Sequence, residues 1–263
     1  MLENITVKVR QNQWRALIMK RREIEMFGLG TLINVVAIIA AGIVGKLFGR
    51  LLNERCQQTL NQACGICVLF LGIAGAMEGM LKVEGTTVIS GGTMLIVGSL
   101  ALGALFGEIL NLEDKIERFG EWLKQKTGNA KEKSFVEGFV TASLTVSIGA
   151  MAIVGAIEDG IMGDISILVT KSILDFIIII VMTCSMGKGC AFSAIPVAIL
   201  QGSVTVLARV IKPVMTEAAL ANLSLVGSIL IFCVGVNLVW GKKIRVANLL
   251  PAIVVAVGMA FVG

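Results

Sequence analysis

The chain has 263 residues, of which 56% are hydrophobic and only 16% charged, with no His, no Tyr and a formal net charge of +5; its mean hydropathy is +0.89. This balance excludes an ordinary soluble globular domain, which carries far more charge on its surface. The missing His also removes the commonest general base and neutral metal ligand.

In chain order, residues 1–25 stand apart. They hold Lys8, Arg10, Arg15, Lys20, Arg21 and Arg22 and lack the apolar core of a signal peptide. They read as an extension outside the native domain, with translation beginning at Met26, because "KRRE" at 20–23 can be encoded by the purine triplets of a ribosome-binding site. A surface-lying amphipathic tail anchored by Trp14, Leu17 and Ile18 is the alternative.

From Met26 onward the charged residues divide the chain into apolar runs. Seven carry no charge and are long enough to cross a bilayer core: 26–45, 56–77, 85–107, 138–157, 189–208, 218–241 and 246–263. An eighth, 165–187, is equally apolar but contains Lys171 and Asp175. The expected fold is therefore all-α: one polytopic transmembrane helical bundle of about eight spans over 26–263, with no soluble domain. Between the third and fourth spans, Leu112, Ile116, Phe119, Trp122 and Leu123 share one face of 112–127, which reads as an interfacial helix.

Charge between the spans sets the orientation. Loops after the odd-numbered spans hold thirteen Lys and Arg, among them Lys115, Arg118, Lys188, Lys242 and Arg245, against three (Lys82, Arg209, Lys212) on the opposite side. The positive-inside rule places the rich side in the cytoplasm and both ends of 26–263 outside it. The net positive charge is thus a topology signal, and no nucleic-acid partner is expected.

The chain repeats itself. "GKLFGRLLN" at 45–53 returns as "GALFGEILN" at 103–111, and "IAGAMEG" at 73–79 as "IVGAIEDG" at 153–160, which marks two hairpin units. Gly45/Gly49 and Gly103/Gly107 have the small-x-x-x-small spacing of close helix packing, within the chain or between copies in a homo-oligomer. A weaker echo lays 65–79 on 227–241 and 100–106 on 255–261, in spans of opposite direction. That is the pattern of an inverted-topology repeat, whose interface near the midplane is where secondary transporters bind their substrates.

Several phrases in order resemble one family. "MFGLGTLIN" at 26–34, "FVTASL" at 139–144, "GAMAIVGAIEDG" at 149–160, "KSILD" at 171–175, "AIPVAILQG" at 194–202 and "KKIRVANLLPA" at 242–252 are similar to the bacterial YqgA/YdfK-like membrane proteins, domain of unknown function 554. The resemblance covers Met26 to the C-terminus and implies a multi-pass protein of the bacterial inner membrane, with no substrate attached. Residues 1–25 lie outside the pattern, and Phe176 stands where relatives are expected to have Gly.

The remaining signal lies in polar groups inside apolar spans. Lys171 and Asp175, at i and i+4, share a helix face and can neutralise each other, as a helix clamp or as part of an ion route. Pro196 interrupts the sixth span ahead of Gln201, Gly202, Ser203 and Thr205, where carbonyls would open to a cavity. Thr145 belongs to a run of alternating hydroxyls in the fourth span. Glu78, Glu158 and Asp159 close the second and fourth spans, as solvated acids at a water interface or as charges that concentrate cations at an outer entrance, while Asn34, Asn237 and Asn248 read as interhelical hydrogen-bonding groups.

The expected function is transport or conduction of a small ion or solute through Lys171, Asp175, Gln201, Ser203 and Thr145. The alternative is a structural or signalling membrane protein. An enzyme is not expected, since there is no H-E-x-x-H, G-x-S-x-G or Walker loop. No cofactor or metal is expected either: Cys64 and Cys67 form a lone C-x-x-C, with no second pair and no His beside it.

Overall fold

The computed structural model describes residues 28–261; the extension 1–25 lies outside the described residues. The chain is a helical bundle, as the charge-free runs require. The helices are α1 (Leu29–Gly49), α2 (Glu54–Met80), α3 (Thr93–Leu110), α4 (Leu112–Lys126), α5 (Phe135–Ser147), α6 (Ala150–Met162), α7 (Ser166–Met186) and α8 (Ala194–Val206). They are followed by α9 (Ala208–Ile211), α10 (Glu217–Trp240), α11 (Val246–Leu249) and α12 (Pro251–Met259), and a 3₁₀ segment, Lys188–Ser193, leads into α8.

Among the described residues six helical segments are long and apolar enough to cross a membrane, and the pair α5–α6 makes a seventh if it counts as one span. Where an unbroken fourth span was expected, α5 and α6 meet at 64°. The cause is local: Ile148 is extended, and Gly149 follows with φ 146° and ψ 150°, a region open in practice only to glycine. The expected eighth span is the shorter apolar helix Val246–Met259. The third span starts later than its charge-free run suggests, because Leu81–Glu84 and Thr87–Ser90 pair as an antiparallel hairpin, β1–β2. Gly85, with φ 64°, takes the first position of its two-residue turn.

Packing follows the small residues. Gly45 and Gly49 of α1 lie against Ile180, Thr183 and Cys184 of α7, and Gly103 and Gly107 of α3 against Ala252 and Asn248 of α12 and α11. Both glycine faces anticipated from spacing are therefore occupied within the chain. The two segments related by the weaker echo are themselves neighbours. Gly65, Gly72, Gly75 and Gly79 of α2 meet Val239, Phe232, Ser228 and Leu225 of α10 in antiparallel register, and Gly235 of α10 meets Leu69 in return. The contact is reciprocal, as in any closely packed antiparallel helix pair whose glycines face the partner.

The core gathers Ile38, Phe135, Phe139, Ile179, Met182 and Leu230 from α1, α5, α7 and α10. By contrast, α3 buries only Ser99, Gly103 and Gly107, and its outward Leu102, Leu105 and Ile109 form an apolar exterior suited to lipid. Amphipathic α4 is fixed at one end of the bundle. Glu113 accepts from the Ala247 amide at 2.9 Å and pairs with Lys242 at 2.9 Å, Glu117 also pairs with Lys242, and the Asn248 side chain accepts from the Glu113 amide at 2.7 Å.

Candidate functional site

The break between α5 and α6 leaves carbonyls without helical partners, and one of them is used. Lys171 on α7 donates to the carbonyl oxygen of Val146 at 2.7 Å and to Asp175 Oδ2 at 2.5 Å. Both charged side chains are more than nine-tenths buried. Two opposite charges thus sit together inside an apolar helix, with a neutral sum that lowers the cost of removing each from water.

Two further polar residues complete the cluster. Asn34 of α1 donates to Gln201 Oε1 of α8 at 3.2 Å, and its amide also neighbours the Asp175 carboxyl. Asn34 and Gln201 are 0% and 1% exposed, yet Asn34 Oδ1 and Gln201 Nε2 have no hydrogen-bond partner among the described residues. Buried amide atoms are normally satisfied, so one acceptor and one donor remain available here. Lys171, Asn34 and Gln201 lie five residues from the ends of their helices, about 7.5 Å in, and Asp175 nine residues, about 13.5 Å. The cluster therefore occupies the half of the bundle nearer the β-hairpin.

Toward that end, one turn away, lies a second group of buried polar residues. The Thr31 and Thr205 hydroxyls are 3.2 Å apart, one turn beyond Asn34 and Gln201. Asp159, only 1% exposed, accepts from the backbone amides of Gly28 at 3.1 Å and Thr31 at 3.3 Å. Its carboxylate caps α1, where the helix dipole favours negative charge. Gly30 makes the approach possible, since a Cβ there would lie 2.8 Å from Leu168 and 3.2 Å from Asp159.

From the opposite end a polar cavity of about 380 Å³ enters the bundle, lined by Glu113, Glu117, Glu137, Lys133, Lys242 and Thr141 among others, with Leu144 in its wall. Leu144 precedes Val146 by two residues, so a single turn of α5 separates this cavity from the Lys171 ammonium. A larger apolar cavity of about 510 Å³ lies on another side of α5, and Leu144 lines it as well. Neither cavity is lined by Lys171 or Asp175.

The structure thus brings Lys171, Asp175, Asn34 and Gln201 together and leaves other anticipated residues apart. Ser203 is exposed and donates to Leu200 O at 2.8 Å, and half-buried Thr145 donates to Thr141 O at 2.8 Å in its own helix. Glu78 is exposed, Glu158 half-buried, and only Asp159 of the three acids belongs to the second buried group. The break expected at Pro196 lies elsewhere. Pro196 sits in the first turn of α8, where an amide has no helical acceptor to lose, and the backbone ahead of it is 3₁₀. The carbonyl that receives Lys171 comes from the fourth span, where the only sequence signal was "SIGA" at 147–150, a glycine after a β-branched residue.

Apolar helices of spanning length enclosing a buried ion pair define a multi-pass integral membrane protein. The chain belongs to the family described as protein of unknown function DUF554, whose model matches residues 29–261. It is similar to the uncharacterised membrane protein YdfK of Bacillus subtilis (strain 168), 31% identical over 233 residues, which cover 89% of this chain and 96% of that protein. It is also similar to the uncharacterised protein YqgA of Escherichia coli (strain K12), 29% identical over 236 residues, covering 88% and 96%. No solved structure matches.

Proposed function

We propose that this protein moves a small ion or solute across the bacterial inner membrane, and that Lys171, Asp175, Asn34 and Gln201 form the site through which it passes. One observation carries the reading: a buried lysine–aspartate pair is bonded to the open carbonyl of a broken helix, beside buried amides with an unused donor and acceptor. A purely structural clamp needs neither the break nor the unpaired amides. The polar cavity lies toward the site from one end, a turn of α5 short of it, and the buried Asp159, Thr31 and Thr205 lie toward it from the other. By the positive-inside rule the cavity is on the cytoplasmic side and these three residues on the outer one.

The test is flux through the purified full chain in liposomes, against a panel of protons, alkali cations, halides and small metabolites. Asp175→Asn is expected to abolish flux while the protein stays monodisperse. Full flux in that variant would overturn the assignment, as would no flux of any species in the wild type.

A second reading, a structural or signalling membrane protein, is favoured by one fact: Lys171 and Asp175 neutralise each other one turn apart on α7, and neither cavity is lined by them. In that case Lys171 and Asp175 contribute to stability alone.

A further inference from the structure

The 510 Å³ cavity is a different kind of space. Of its seventeen lining residues only Lys115, Ser143 and Ser147 have polar side chains, and Ser143 spends its hydroxyl on Phe139 O at 2.6 Å. Ions have no reason to enter it. Its volume falls in the range of small-molecule sites, about 300–1,000 Å³. Its rim residues Ile199 and Val254 are 64% and 74% exposed, so it opens sideways, toward the space a bilayer fills. It extends from Phe139 of α5 to Ile148, just past the end of that helix, nine residues or about 13.5 Å at the helical rise. Half of a hydrocarbon core is about 15 Å, so the groove has the reach of one leaflet's acyl chain.

Its mouth has the chemistry of a headgroup site. Lys115 lines the groove beneath α4, and Arg118, Phe119 and Trp122 follow at the i+3, i+4 and i+7 positions that share its face. Phe119 stacks on Trp122 with centroids 5.6 Å apart and meets Phe139 of the groove wall at 5.8 Å, as amphipathic rings do at headgroup depth. Lys115 and Arg118 have no ion-pair partner among the described residues. Glu113 and Glu117, on another face of α4, are instead both held by Lys242. Of the remaining acids of α4, Asp114 accepts from the Asn111 side chain and Glu121 pairs with Lys124, which leaves Lys115 and Arg118 as the basic groups at the mouth, where lipid phosphates would lie.

We propose that this groove binds one acyl chain of an anionic phospholipid from the leaflet in which α4 lies. Lys115 and Arg118 hold the headgroup phosphate, and the tail ends against Ile148 and Gly149 at the α5–α6 break. The bound chain then packs against both arms of the break, and through Val146 it bears on the position of Lys171. The assignment does not depend on the transport reading, because it concerns a different cavity and a resident lipid.

The test compares phosphatidylglycerol with phosphatidylcholine of identical chains, added to the purified full chain in detergent. Retained lipid is read by native mass spectrometry, and the thermal unfolding midpoint is read in parallel. Phosphatidylglycerol is expected to form the more persistent adduct and the larger upward shift. Lys115→Gln with Arg118→Gln should weaken its retention about thirtyfold, from the loss of two basic contacts, and bring the two lipids level. Ile199→Trp, at an exposed rim position, should fill the groove and remove the adduct with either lipid. Equal retention of both lipids by the wild type would overturn the proposal. So would an adduct that survives Ile199→Trp in monodisperse protein, or a phosphatidylglycerol preference that survives loss of both basic residues.

Discussion

Lys171 and Val146 are bonded across twenty-five residues of sequence, the lysine ammonium donating to the valine carbonyl at 2.7 Å while it also holds Asp175. The lysine therefore has a second acceptor in the Val146 carbonyl, while removal of either charge leaves the other buried and uncompensated. Lys171→Met strands a buried carboxylate and an open carbonyl, a change expected to cost about 3–5 kcal/mol. Asp175→Asn keeps an oxygen for the lysine but leaves its charge buried without a counterion, and should cost toward the lower end of that range, about 3 kcal/mol. Thermal melts of both variants and of the Lys171→Met/Asp175→Leu double variant check this order. Equal losses fully restored in the double variant would instead mark a simple structural pair.

The bend between α5 and α6 rests on Gly149, whose φ of 146° and ψ of 150° side-chain-bearing residues avoid. Among the described residues no atom lies within 4 Å of a Cβ added there, so Gly149→Ala tests backbone strain without a clash. A loss of about 1–3 kcal/mol is expected, together with altered accessibility of a cysteine introduced at Ile148. An unchanged melt would mean that the bend is set by packing and not by the glycine.

Glycine pairs should separate by what they face. A methyl at Gly107 would overlap the Asn248 carbonyl, whereas one at Gly98 meets only Met259 at 3.7 Å, ordinary contact. Gly107→Ala is expected to destabilise by about 1–3 kcal/mol or more and Gly98→Ala to be tolerated. Melting temperatures of the two variants in the same detergent decide the point.

Lys242 ties α4 to the α10–α11 turn. Burial opposes its charge, but its hydrogen bonds to Glu117 and Glu113 outweigh that and hold its pKa above the usual lysine value. The folded state therefore favours the charged form. Its contribution is complete below the unfolded lysine pKa, about 10.4, and is lost as pH rises through the higher folded value. Amide protection in α4, taken relative to the intrinsic base-catalysed exchange rate, should fall across that alkaline window in the wild type. Lys242→Met should show the lower protection already near neutral pH and little further fall.

Composition and the spacing of charge along the chain determined that this is a membrane protein, where most of its helices lie, and that α4 is amphipathic. These are local properties, written in runs of about twenty apolar residues and in a helical period that neighbouring positions share. The pairing of Lys171 with Asp175 was legible for the same reason, since four residues along a helix is one turn. Only the tertiary structure decided that Val146 supplies the third group, that Asn34 meets Gln201, and that Asp159 closes the start of α1 instead of standing free in water. The latter two contacts join residues more than a hundred positions apart, and the Val146 carbonyl is open only because the fourth span breaks beside it. Which distant groups meet is fixed when whole helices pack through their glycine faces, and no short window of sequence contains that information.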